Sequence, residues 1–143
     1  MIDDLSAPRK FDLIWVGSVL THLSEALSVA LIRKLMSFLN ENGLLIASTH
    51  GRFADANAER AQNYGVAERW SEITQGFSDG GYGYVDYPLQ SNYGISLTKP
   101  SWTARLIEGI PEIRLVLLSE RAWDGHHDVL ALQNAPASVN AAW

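Results

Sequence analysis

Phe11-Asp12-Leu13-Ile14-Trp15-Val16-Gly17-Ser18 is the stretch on which the fold turns. Its first six residues hold a single polar side chain, Asp12, and Gly17-Ser18 closes the run with a turn signal. A short, nearly continuous apolar run of this kind reads as a strand buried on both faces, the pattern of a parallel sheet. Downstream, Ser24 caps a helix with Glu25 in its first turn; Leu27, Leu31, Leu35, Phe38 and Leu39 recur at helical spacing, with Arg33, Ser37 and Asn40 opposite. Asn42-Gly43 is the expected helix stop. Leu44-Leu45-Ile46-Ala47-Ser48-Thr49 then reads as a second buried strand, so strand, helix and strand follow at the spacing of a right-handed parallel crossover.

Working outward, an Ala-rich stretch from Gly51 to about Tyr64 has weak helical periodicity through Phe53, Ala54, Ala58 and Ala61. Residues 76–94 interleave Gly76, Gly80, Gly81, Gly83 and Gly94 with Phe77, Tyr82, Tyr84, Tyr87 and Tyr93, which predicts an irregular or hairpin excursion. Pro100-Ser101 opens a short helix carrying Trp102, Leu106 and Ile107, and Gly109 closes it. Residues 113–119 and 129–133 read as strands joined by the polar turn Arg121-Ala122-Trp123-Asp124-Gly125, so tight a link that they must run antiparallel. The tail from Asn134 is small and polar, with Trp143 as a possible anchor. The predicted class is α/β, a mixed sheet of about four strands with flanking helices. As one domain it divides into an N-terminal segment (1–10), a strand-helix-strand unit (11–50), an insertion or lid (51–98), a helix and terminal hairpin (99–133) and a tail (134–143).

A chain of 143 residues fits one domain with a real core, and 47% hydrophobic against 19% charged residues places it among globular proteins rather than disordered ones. The formal charge of −5 and eleven scattered basic residues argue against a nucleic-acid surface. With no cysteine there are neither disulfides nor thiolate metal sites, which suits a reducing, cytoplasmic compartment. Met1-Ile2-Asp3-Asp4 lacks the basic start of a secretion signal, and no apolar run approaches the roughly 20 residues that span a bilayer, so no membrane partner is expected.

Three stretches in order resemble the class I S-adenosylmethionine-dependent methyltransferases, whose Rossmann-like sheet is seven-stranded with an antiparallel final hairpin. Phe11-Asp12-Leu13-Ile14 followed by Ser18-Val19-Leu20-Thr21-His22-Leu23 resembles that family's fourth strand and following loop. Asn42-Gly43-Leu44-Leu45-Ile46 is similar to its fifth strand, and Arg121 through Val129 to the turn into its last. The match spans roughly residues 11–133. Because ten residues precede Phe11, the resemblance implies that the half carrying the first strand, the glycine-rich loop and the ribose-holding acidic residue is missing. Gly81-Tyr82-Gly83 does not replace that loop, since it follows no apolar strand and opens no helix.

The candidate site residues follow from strand ends and from the resemblance. Gly17 and Ser18 sit where this fold places ligands, at the carboxyl end of a parallel strand. The resemblance sets them toward the cofactor and matches Asp4-Leu5 to an acidic-apolar pair that contacts adenine. His22 and His50 are candidate bases, because imidazole titrates near neutrality, and Thr49 ends the second strand at the same sheet edge. Tyr82, Tyr84 and Tyr87 offer flat faces and hydroxyls for an acceptor pocket. His126, His127 and Asp128 read as a structural turn rather than a metal site, since adjacent strand residues point to opposite faces and would not converge on one ion.

In complete form, the resemblance implies methyl transfer from S-adenosylmethionine to a small-molecule or sugar-type acceptor. The absence of an Asn-Pro-Pro-aromatic run after the first strand argues against nucleobase substrates. By itself the chain is expected to bind no cofactor and to be inactive, with either a missing N-terminal half or a second copy in a homodimer as its partner. The alternative is a non-catalytic assembly domain that keeps half of the fold.

Overall fold

A computed structural model of the chain describes residues 2–59 and 64–135. Strand β1 (Phe11–Val16) leads through helix α1 (Glu25–Met36) to β2 (Leu39–Thr49), and the two strands pair in parallel from Leu13↔Leu44 to Val16↔Ala47. The Ser24 hydroxyl caps α1 by accepting from the Leu27 amide at 3.4 Å. Beyond β2 come α2 (Arg52–Ala56), α3 (Trp70–Gly80), β3 (Tyr82–Asp86), β4 (Gly94–Thr98), α4 (Pro100–Glu108), β5 (Ile113–Trp123) and β6 (His127–Asn134). The main sheet has the order β1-β2-β6-β5, with β6 antiparallel to both its neighbours, while β3 and β4 form a separate hairpin. This is the mixed four-stranded sheet that the sequence predicts.

Three boundaries differ from the sequence reading. Helix α1 stops at Met36, where the Ser37 amide closes on the Arg33 carbonyl, and Leu39 already pairs with Phe11. Asn42-Gly43 therefore turns the chain inside a bulge of β2, with Asn42 at φ 64°, where a short polar side chain is tolerated. The expected 51–64 helix reduces to α2 among the described residues; 60–63 and the tail with Trp143 lie outside them. Residues 70–80, partly assigned to the irregular excursion, are helical. Gly76 is no helix breaker here, because a Cβ would approach the Tyr82 carbonyl to 2.8 Å, and one on Gly83 would run into the Ile73 carbonyl. The glycines let α3 and β3 touch backbone to backbone, and Gly81, at φ 76°, ends the helix in the left-handed conformation.

Alternation along the strands sorts the sheet into two unlike faces. Rows such as Val16, Ala47, Leu130 and Leu118 face α1 and α4, where Leu31, Ile32, Met36, Trp102 and Leu106 close the core. The opposite row runs through Trp15, Ile46, Ala131 and Leu117; Ala131 is buried, but among the described residues both ends of the row stay open to solvent. Leu13 and Trp15 are 55% and 49% exposed, and Leu117 47%. The expectation that β1 is buried on both faces is thus corrected: it is an edge strand with one bare face. A covered Trp side chain buries about 150–250 Å², so leaving half of one in water forgoes about 2–3 kcal/mol.

A second core, built from Ala54, Val66, Ile73, Phe77, Val85, Ile95 and Leu97, holds α2, α3 and the hairpin together. It is fastened to the sheet where the Thr98 amide donates to the His50 carbonyl at 2.7 Å. Among the described residues no helix is long and apolar enough to cross a membrane.

Candidate functional site

At the carboxyl end of β1, Ser18 takes φ 54° and its amide donates to Ser48 Oγ on β2 at 2.7 Å. Its own hydroxyl lies 3.2 Å from that of Thr21, so Ser18 is engaged within the chain. Gly17 is roofed by two indoles: a Cβ there would stand 2.9 Å from both Trp15 Nε1 and the ring of Trp123. Those rings meet edge to face at 5.3 Å. Thr49 is buried, opposite Asp128 in the β2–β6 ladder.

His22, in the short 3-10 turn Leu20–His22, is tied to the hairpin rather than to the strand ends. Its Nδ1 lies 3.0 Å from the Gly94 carbonyl and 3.0 Å from the Tyr87 hydroxyl. A carbonyl only accepts, so that bond puts the proton on Nδ1 and leaves the lone pair on Nε2, the form a general base requires. Tyr93 lies against the same ring, at 5.1 Å. Tyr87 also borders a hollow of about 530 Å³ shared with Val66, Glu68, Arg69, Asp86 and Leu89. The three tyrosines named from the sequence separate here. Tyr82 is buried, its hydroxyl donating to the Leu23 carbonyl and paired with Ser28. Tyr84 donates to Asp86, and only Tyr87 meets His22. Burial raises the pKa of Tyr82, Tyr84 and Tyr87, so all three are neutral hydroxyls rather than phenolates.

His50 sits one residue past β2 and is 3% exposed. Burial, followed by the nearby charges of His127, His126 and His22, lowers its pKa to about 3, which makes it a weak base. His126 and His127 lie beside His50, whereas His22 is held by the hairpin through Gly94 and Tyr87. The reading of His126 and His127 needs correction. Strand alternation does not separate them, because His126 belongs to the turn, its amide donating to the Trp123 carbonyl, and β6 begins only at His127. Their rings stand 4.8 Å apart, and His50 lies 4.9 Å from each.

Asp4-Leu5 lies at the other side of the β1 end. Asp4 closes a 3-10 turn and is exposed, while Leu5 joins Ile2, Val19, Leu23, Leu27 and Leu31 around an apolar hollow of about 400 Å³. Leu5 and Val19, both over 40% exposed, are its rim.

Solved structures with this arrangement of strands and helices are methyltransferases. A 1,6-didemethyltoxoflavin-N1-methyltransferase from Burkholderia thailandensis, solved with 1,6-didemethyltoxoflavin and S-adenosylhomocysteine, matches 94% of this chain and 48% of its own at 13% identity and a TM-score of 0.59. An O-methyltransferase family 2 protein from Planctomyces limnophilus, in complex with apigenin, matches 94% of this chain and 33% of its own at 16% identity and a TM-score of 0.57. The chain carries part of the S-adenosylmethionine-dependent methyltransferase fold. A methyltransferase from Clostridium acetobutylicum extends the match to 63% of its own length, with 10% identity and a TM-score of 0.56. Against these three the chain spans between one third and two thirds of the partner's length. No protein-family model matches the sequence, and no curated protein does. Within this part the sheet ends on the antiparallel pair β5 and β6.

Proposed function

We propose that this chain is the acceptor-side half of an S-adenosylmethionine-dependent methyltransferase domain, acting in a cytoplasmic setting on a small-molecule or sugar-type acceptor once a glycine-rich half completes it. The observation that carries the reading is the bare side of β1. Among the described residues β1 pairs with β2 alone, its other edge has no strand partner, and Leu13, Trp15 and Leu117 leave apolar surface exposed.

The residues present fit part of the cofactor. The hollow rimmed by Leu5 and Val19, with Asp4 beside it, suits a flat nucleoside ring. The end of β1 does not suit the amino-acid portion in this arrangement, because indoles cover Gly17 and the Ser18 amide is already taken by Ser48. Among the described residues no glycine-rich loop joins an apolar strand to a helix. When bound, the cofactor supplies a methyl group already activated on sulfonium, so the protein's task is chiefly positioning. His22 would accept the acceptor's proton at Nε2 while Gly94 and Tyr87 hold its ring, and the hollow beside Tyr87 would hold the acceptor.

The coding sequence upstream of residue 1 tests the reading. An in-frame apolar strand followed by a glycine-rich loop supports it, whereas a promoter and start in that place favour the stand-alone assembly module.

A further inference from the structure

We propose that His50, His126 and His127 bind one divalent transition-metal ion of the zinc class, through three imidazole nitrogens and a fourth position left to water. The site is independent of the methyltransferase reading. Its residues come from the end of β2, the β5–β6 turn and the first residue of β6, and the β2–β6 ladder fixes their backbones in register up to Thr49↔Asp128. The ligand atoms of the three side chains lie within 4.8 Å of one another.

The ring positions already match the need. A zinc–nitrogen bond of about 2.0–2.1 Å in a tetrahedral site sets imidazole centroids about 5 Å apart, which compares with 4.8–4.9 Å for all three pairs here. The nitrogens, all within 4.8 Å of one another, must close to about 3.4 Å to share one tetrahedral ion.

A second observation points to a ligand. Nδ1 of His50 and Nδ1 of His127 are both buried and have no hydrogen-bond partner. Buried ring nitrogens are rarely left unpaired, and two together, facing a third imidazole, are what a metal would satisfy. The backbone of Ser96 bonds the His50 ring and favours its proton, so that bond falls on Nε2 and turns Nδ1 into the free lone pair. Metal-binding histidines are commonly oriented in this way by a carbonyl on the far nitrogen. Three neutral ligands leave the ion's charge to its surroundings. Asp128 is buried next door, with one oxygen accepting from the Arg121 amide and the other pressed against Gly51. Nitrogen ligands without sulfur select zinc, cobalt, nickel or copper over magnesium or calcium.

Calorimetric titration of Zn²⁺ into tag-free, chelator-stripped protein tests the site, with Co²⁺ as a spectroscopic probe. The expected result is one ion per chain, visible absorption of four-coordinate cobalt, and a loss of at least about tenfold in affinity for His126→Ala and for His127→Ala. His126 lies in a turn, so His126→Ala keeps the fold, which circular dichroism checks. Absence of saturable zinc binding, or binding that His126→Ala leaves unchanged, would overturn the proposal in favour of a stack of three neutral rings.

Discussion

His50, at the end of β2, lies nearly face to face with His127, the first residue of β6: the ring centroids are 4.9 Å apart and the planes 21° from parallel. Neither ring tolerates a proton well in this arrangement, since burial and the neighbouring histidines lower both pKa values, that of His50 to about 3.

Acid should therefore destabilise the metal-free protein. Unfolding returns His50 to its ordinary value of 6.5, so between 6.5 and about 3 the unfolded chain binds the extra proton. Stability from this group is fully present above pH 6.5 and is lost as the pH falls, by at most about 1.4 kcal/mol per pH unit for one proton. Asp128 works the other way, because burial raises its pKa, and offsets part of the loss only near the acid end. Urea unfolding between pH 7 and 4 should show the decline, and His50→Gln should flatten it. An equally steep decline in that variant would place the proton elsewhere.

Gly83→Ala and Gly80→Ala should have opposite effects. A Cβ on Gly83 meets the Ile73 carbonyl, and forcing α3 and β3 apart should cost about 2–4 kcal/mol, whereas at Gly80, the last residue of α3, nothing lies within 4 Å. Ala at Gly80 should be neutral or stabilising by up to about 1 kcal/mol. Thermal melts of the two variants read the contrast, and equal melting temperatures would contradict the backbone contact.

Gly17→Ala should displace the indoles of Trp15 and Trp123, because the new methyl group lies 2.9 Å from each. Their emission should shift to the red while far-ultraviolet dichroism stays unchanged. An unaltered emission spectrum would mean that the rings do not roof this glycine.

The bare edge of β1 should drive self-association in the absence of a complementary half. Phe11–Val16 carries neither Pro nor Lys to blunt it, and antiparallel pairing with its copy in a two-fold dimer would satisfy the free backbone groups and cover Leu13 and Trp15 together. Light scattering at tens of micromolar should report a dimer, and Trp15→Lys should yield a monomer. A wild-type monomer under those conditions would contradict this use of the edge.

What was legible in the sequence was what local pattern carries. The apolar runs of β1 and β2, the helical period of α1 between them and the tight turn before β6 give the order and direction of the main strands. Helix α3 was hidden because Gly76 and Gly80 weigh against a helix locally, and only contact with Tyr82 and Gly83, a tertiary fact, explains why glycine is required at 76. The exposure of Leu13 and Trp15 depends on which strands are present, which the composition of β1 does not encode. At the candidate site the strand-end rule locates His50, one residue past β2, but it does not find the hairpin partners of His22, Gly94 and Tyr87, which are distant in sequence. The His50, His126 and His127 cluster escapes the sequence because strand alternation, applied to His126 and His127, sets adjacent imidazoles apart, whereas His126 lies in the turn and β6 begins only at His127.

The central claim, that this chain is one side of a methyltransferase domain whose cofactor site needs the other, is tested most directly by calorimetric titration with S-adenosylhomocysteine. The titration compares residues 1–143 alone with the same residues preceded by their upstream coding sequence, where that sequence supplies a strand and a glycine-rich loop. The account predicts no saturable binding to residues 1–143 and a single micromolar site in the extended protein. One-to-one micromolar binding to residues 1–143 alone, or none to the extended protein, would contradict it.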